Sequence, residues 1–304
     1  MKRYVNVLGS VLTGVMMLGL APGVVADDSN IHRPVFAPDG ETIIFMASSE
    51  ETGGDWELFS MRADGRDRSR LTDHAGWDGY AVWSPDGTRI IFDRSRSGDG
   101  DNKAPFHFSL ESKDGGYLGD YDGWLSVNDW RENEILAFWE RDAQRDLYLL
   151  NEDGDIIRNL TNTPDISEHD AHFSPDGTSI AFASGPAAGE GATMLESIDL
   201  QTGERSVQHQ SIGRIYGLDW SPDGRKIAFT DAPGGDEDDA DVFFITLASG
   251  EVEAVTRDES WDHMPEWAPS GEAIIFTSYR SGAEKLYIAV GDGDIIRLWA
   301  GGEE

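Results

Sequence analysis

Short apolar triplets recur along the chain: Ile43-Ile44-Phe45, Ile90-Ile91-Phe92, Ile180-Ala181-Phe182, Ile227-Ala228-Phe229 and Ile274-Ile275-Phe276. Unbroken runs of this length mean burial on both faces, as in a sheet sandwiched between two others. Each triplet follows an aromatic and a turn. Residues 36–40 read Phe-Ala-Pro-Asp-Gly, 83–87 and 220–224 read Trp-Ser-Pro-Asp-Gly, 173–177 read Phe-Ser-Pro-Asp-Gly, and 267–271 read Trp-Ala-Pro-Ser-Gly. Proline presets φ at its turn position, Asp bonds back to the backbone, and Gly takes the left-handed conformation. The prolines at 38, 85, 175, 222 and 269 are separated by 47, 90, 47 and 47 residues. One copy is therefore missing from the long gap. Trp130-Arg131-Glu132-Asn133-Glu134, followed by Ile135-Leu136-Ala137-Phe138, fills it in eroded form.

Each copy predicts four strands. The aromatic ends the first, and the triplet makes the second. The third is read at Trp56–Met61, Phe106–Glu111, Asp146–Leu150, Met194–Asp199, Val242–Leu247 and Lys285–Val290. A glycine hairpin follows at Gly65, Gly115, Gly154, Gly203, Gly250 or Gly293, then a short polar strand suited to an outer edge. A four-stranded unit of this length, repeated radially, is a propeller blade. The expectation is an all-β, six-bladed β-propeller of four-stranded antiparallel blades, spanning 27–304 as one domain. The blades are read at 29–76, 77–123, 124–167, 168–214, 215–260 and 261–304. Residues 27–31 or 299–304 are the segments that would latch the ring.

The first 26 residues read differently. Lys2 and Arg3 precede an apolar run from Val7 to Leu20, then Pro22, Gly23 and the small-residue end Val24-Val25-Ala26. That is the layout of a cleaved signal peptide, with a run too short for a comfortable membrane span. The expectation is a periplasmic or secreted protein.

The Trp-Ser-Pro-Asp-Gly signature at 83–87 and 220–224, with Arg70-Leu71-Thr72 and Asn159-Leu160-Thr161, resembles the TolB-type propeller repeat. The resemblance covers essentially all of 29–304. It implies an exported six-bladed propeller that serves as a protein-binding platform. TolB proteins carry a further N-terminal α/β domain, for which this chain leaves no room. Similar repeats front prolyl-oligopeptidase-like peptidases, but no Gly-x-Ser-x-Gly elbow is present here.

Composition narrows the chemistry. The chain has no cysteine, 24 basic and 57 acidic residues, and a formal charge of −33. Disulfides, cysteine-ligated metals and a cysteine nucleophile are excluded. Broad nucleic-acid or anionic-membrane surfaces are disfavoured, since both require a basic patch. A monomer is expected.

Aligning blades on the turn proline gives the candidate site. Six residues before it stand His32, Gly79, His169, Tyr216 and His263, with Ser126 nearby in the eroded copy. His32, His169 and His263 share one repeat position and are candidate metal ligands, with His172, Asp170 and Asp262 close enough in sequence to join. Blade four faces blade one across the axis, so convergence of all three histidines is not assured. Trp77, Trp124 and Trp261, eight residues before the turn, suit either an aromatic binding rim or packing between blades. Acidic loops at Asp99-Gly100-Asp101-Asn102, Asp153-Gly154-Asp155, 231–241 and Asp292-Gly293-Asp294 lack the spacing of a calcium loop. The reading adopted is a non-catalytic protein- or peptide-binding module of the cell envelope with no required cofactor. A divalent cation stays open. The alternative is a metal-assisted polysaccharide lyase or hydrolase at the channel mouth.

Overall fold

A computed structural model describes residues 30–96, 103–141, 144–188, 191–235, 237–290 and 294–297. Residues 1–26, read as a leader, the latch candidates 27–29 and 299–304, the acidic cluster at 99–102, Asp236 and Asp292-Gly293 lie outside the described residues. Blade one comprises β1 (Asn30–Phe36), β2 (Thr42–Ser48), β3 (Trp56–Arg62) and β4 (Ser69–Arg70). Blade two holds β5 (Asp78–Trp83), β6 (Arg89–Ser95), β7 (Lys103–Ser109) and β8 (Gly115–Tyr117). Blade three holds β9 (Trp124–Arg131), β10 (Glu134–Arg141), β11 (Gln144–Leu150) and β12 (Ile156–Asn159). Blade four runs through β13 (Ile166–Phe173), β14 (Ser179–Pro186), β15 (Thr193–Asp199) and β16 (Arg205–Ser211). Blade five is β17 (Tyr216–Trp220), β18 (Lys226–Asp231), β19 (Asp241–Thr246) and β20 (Glu251–Ala254). Blade six is β21 (Asp262–Trp267), β22 (Ala273–Ser278), β23 (Lys285–Val290) and β24 (Asp294–Arg297). In every blade the four strands pair in chain order, making six four-stranded antiparallel sheets. The first strand of each blade lines the central channel.

The turn motif works as its chemistry requires. Gly40 lies at φ 72° and its N–H donates to Ala37 O at 2.8 Å, while Asp39 Oδ1 accepts from Glu41 N. Where the first turn residue is Ser, as at Ser84, its hydroxyl accepts from Arg89 N and donates to Asp86 Oδ1 at 2.6 Å. The motif also joins neighbouring blades. A Cβ added to Gly40 would meet Pro269 at 3.4 Å. Gly87, Gly224 and Gly271 face Pro38, Pro175 and Pro222 in the same way. The eroded blade three has no proline to offer. Arg131 stands against Gly177 instead, and its Nη2 donates to Asp176 O.

Packing between blades fills the core. Phe45, Phe92, Phe182, Phe229 and Phe276, one from each intact triplet, are fully buried. The Arg-Leu-Thr stretch also acquires a role. Thr72 Oγ1 accepts from Leu58 N at 3.0 Å and donates to Glu57, which splices the end of the outer strand onto the start of β3. Thr161 and Thr256 repeat this with Leu147 N and Val242 N.

Ring closure uses the repeat's own contacts. Ile31 and Phe36 of blade one pack with Ile275 and Leu286 of blade six, Gly40 seats on Pro269, and Ile31 N donates to Glu284 O at 3.2 Å. Among the described residues no strand is exchanged between blades. One hairpin departs from the expected pattern. Gly115 lies inside β8, and Lys113, at φ 61°, is the left-handed residue of that turn.

Candidate functional site

Each inner strand enters the channel at a rim near residue 32 or its equivalent and leaves at the Pro-Asp-Gly turn. Midway, five of the six carry a β-bulge whose residue is left-handed: Arg33, Tyr80, Asp170, Gly217 and Met264, at φ 48–59°. For the four non-glycine residues that conformation costs on the order of 1–3 kcal/mol each. A bulge re-aims the side chain, here toward the channel. Its main product is a strut across the axis. Arg33 Nη2 of blade one meets Asp170 Oδ1 of blade four at 3.3 Å. The Arg33 guanidinium lies 4.3 Å over the Tyr80 ring. Asp170 accepts a further bond from Gly217 N at 3.2 Å and faces His169 Nδ1 at 3.1 Å. Burial works to raise the Asp170 carboxyl, but the bond and charge from His169, the Arg33 charge and the Gly217 N–H together hold it well below the usual range.

On the turn side of the strut is a cavity of about 590 Å³. The residues just before the turn aromatics face it: Val35, Val82, Asp129, His172, Asp219 and Glu266. Three of these acids act as interblade fasteners. Asp129 accepts from Phe173 N at 2.9 Å, Asp219 from Trp267 N at 2.6 Å, and Glu266 from Phe36 N at 3.3 Å. Burial pushes Asp219 up to about 8, and the Asp129 charge adds to it. Burial, then the Asp219 charge, carries Glu266 well above the carboxylate range. His172 is held down by burial.

The entry side is different in character. Lys103 Nζ lies 3.9 Å from the Trp77 ring centre and 5.4 Å from that of Trp124, and Arg145 sits 5.2 Å over Trp124. Trp77 meets Tyr80 edge-on at 4.9 Å, which links this group to Arg33. Exposed Arg214 lies 5.6 Å over Tyr216. A groove of about 550 Å³ opens here, lined by Glu140, Arg145, Ser167, His169, Thr193 and Arg214 among others. Trp77 and Trp124 are half-buried and pack against the blade cores. Trp124 Nε1 donates to buried Asp93 at 3.0 Å; burial lifts that carboxyl to about 6.

The histidines divide. His32 and His263 meet across the seam between blades one and six, with ring centres 4.9 Å apart. Glu284, from the segment before β23, completes a group whose ligand atoms lie within 4.8 Å of one another. Trp261 stacks on His263 at 4.2 Å and donates from Nε1 to Tyr216 Oη at 2.7 Å. His169 stays with Asp170. Asp262 is engaged by Arg280 at 2.6 Å. Asp231 and Asp241, at the ends of the 231–241 loop, accept from Ser211 and Thr256. Asp153 and Asp155 sit in a hairpin whose N–H groups bond to Asn151 Oδ1.

Two features lie beyond the sequence-based expectations. The Arg33 strut and the Asp129, Asp219 and Glu266 fasteners occupy alignment columns five and three residues before the proline, close to the histidine column. Glu284 takes the strand-three position of Trp56 and Lys103, but a shorter loop before it moves it off the fixed spacing from the turn proline.

A profile of the family described as "TolB beta propeller domain" matches residues 189–304. Over that stretch the repeats match the TolB propeller type. TolB from Acinetobacter baumannii superposes with a TM-score of 0.66 at 18% identity, covering 90% of this chain and 64% of that one. This chain thus spans less than two thirds of that TolB. Putative TolB from Agrobacterium tumefaciens gives 0.62 at 20% identity, covering 76% and 84%. An oligogalacturonate lyase solved in complex with manganese gives 0.58 at 16% identity, covering 86% and 90%. At these identities the likenesses concern fold. Comparison with curated proteins found no match. The chain's own repeat accounts for the turns, the interblade Pro–Gly contacts and the Thr splice. The strut, the entry groove and the seam cluster are built from this chain's own side chains.

Proposed function

We propose that this TolB-type propeller is an exported, non-catalytic binding module of the cell envelope that takes a protein or peptide segment at its entry mouth. One observation carries the reading. On a chain of formal charge −33, Arg33, Lys103, Arg145 and Arg214 come from four separate stretches to the entry side, each against an aromatic ring. Cations held beside rings, of which Tyr80, Trp77 and Trp124 are half-buried and Tyr216 is buried, suit a segment carrying carboxylates and apolar side chains. His169 of the groove wall contacts Asp170, which pairs with Arg33. The acids of the channel are committed to neighbouring backbones, which leaves the entry side as the place for recognition. The leader-like residues 1–26 support export.

The test is calorimetric titration with short acidic, neutral and basic peptides of matched hydrophobicity. The acidic series should bind best, and Arg214→Ala should weaken it about tenfold. Equal or absent binding across the series overturns the proposal.

A second reading, a metal-assisted lyase or hydrolase on an acidic polysaccharide, draws on the same cationic mouth and on the fold shared with the lyase. Ultraviolet absorbance of an unsaturated product, followed with oligogalacturonate and divalent metal, separates the two. Catalytic turnover would replace the binding-module reading.

A further inference from the structure

The seam between the first and last blades holds more polar chemistry than its hydrogen bonds use. His263 is fully buried, and neither of its ring nitrogens has a hydrogen-bond partner. His32 Nδ1 is likewise buried and unpartnered. A buried polar group left unpaired costs about 1–3 kcal/mol, so three in one cluster call for a partner. Glu284, 6% exposed, lies between the two rings, with Oε1 3.5 Å from His32 Nδ1 and 3.6 Å from His263 Nε2. Those separations are long for hydrogen bonds. They match the edge of a tetrahedron: metal–ligand bonds of about 2.1 Å put neighbouring ligand atoms about 3.4 Å apart.

We infer that His32, His263 and Glu284 form a transition-metal site, best suited to zinc, that ties blade six to blade one and closes the ring. Two imidazoles and one carboxylate are a common zinc set, leaving a fourth position for water on the side where His32 is 17% exposed. The surroundings hold the ligands in place. Trp261, stacked on His263 at 12° between planes, and Trp56, edge-on to His32, fix the rings. The location gives the metal a purpose. Among the described residues no strand crosses the seam, which is held by side-chain packing and the Ile31 N–Glu284 O bond; a bound dication would add three bonds spanning blades one and six. The site is independent of what the entry groove binds.

The test uses the full, tag-free chain stripped with chelator. Titration with zinc should show one equivalent. Cobalt in its place should give the intense visible absorption of a tetrahedral site. At a hundredfold excess over Kd, zinc should raise Tm by about 5 °C. Amide exchange should slow in β1 and β23, with β9–β12 unaffected. His263→Ala empties a fully buried position and threatens folding, so Glu284→Gln is the decisive variant. It should keep the apo Tm within a few degrees and lose about 100-fold or more in zinc affinity, the upper end of what losing even an outer partner costs. Absence of stoichiometric zinc on folded wild-type protein overturns the inference. So does equal zinc affinity in wild type and Glu284→Gln.

Discussion

Replacing Asp170 by asparagine tests the strut that divides the channel. The pair is mostly buried, with Arg33 17% and Asp170 13% exposed. Removing one partner from a buried ion pair costs about 3–5 kcal/mol, because the other charge remains desolvated. Arg33 keeps its place over Tyr80, worth about 1 kcal/mol, and the introduced amide oxygen still accepts from Gly217 N. The net loss is about 2–4 kcal/mol on that basis. At roughly 2 °C per kcal/mol for a chain of this size, Tm should fall by about 4–8 °C. Arg33→Met in the Asp170→Asn background should recover most of the loss, since Met264 already occupies the equivalent left-handed bulge in blade six. The pH dependence follows from a depressed native pKa. Asp170 contributes stability that is complete above its unfolded value near 4 and is lost progressively as pH falls below it. That acid slope should flatten in Asp170→Asn. Differential scanning calorimetry of the wild type, both singles and the double reads all of this. A single-variant Tm within about 1 °C of wild type, or losses that add in the double, would refute the strut.

Three further outcomes are expected. Asp219 has a raised native pKa near 8, so the folded state holds a proton that the unfolded state has released above about 4. Its ionisation therefore erodes stability as pH climbs from about 4 to 8. Asp219→Asn, which still accepts from Trp267 N, should raise Tm by a few degrees near pH 8 and change little near pH 4; a drop on the alkaline side would contradict the assignment. Gly213→Ala would place a methyl 1.9 Å from Ala232 O, and urea unfolding should show a loss of about 1–3 kcal/mol as blade five's entry shifts. With a formal charge of −33 and only five lysines, self-repulsion is substantial; Tm should rise between low and molar salt, and no rise would show the acids to be well compensated in place.

The fold was legible because its determinants are local and repeated. Proline, glycine and the aromatic at each turn act within one blade and its neighbour, so five intact copies state the architecture and even the eroded one keeps its buried Ile135-Leu136-Ala137 run. Strand-three starts were less legible. Lys103 and Gln144 open β7 and β11 with polar residues that periodicity alone assigns to loops. The site was half legible. Column alignment found His32 and His263, because a ring fold turns equal repeat positions into equal heights. Alignment gives height and blade, not which side chains reach one another. Hence His169 turned to Asp170, Asp262 went to Arg280, and Glu284 joined from a strand start that a shorter loop moves off the fixed spacing. The cations of the entry mouth were invisible for the same reason: residues 33, 103, 145 and 214 form no run in the sequence and meet only once the ring closes.

Placement of a photo-crosslinker tests recognition at the entry mouth most directly. Ser167 lines the entry groove, whereas exposed Val207 lies on the outer strand of the same blade. With benzoylphenylalanine introduced at each position in the native host, illumination should give a discrete envelope-protein adduct from position 167. That adduct should be absent from position 207 and weakened by Arg214→Ala. Equal labelling from both positions, or no adduct from 167 with the protein folded and exported, would contradict the account.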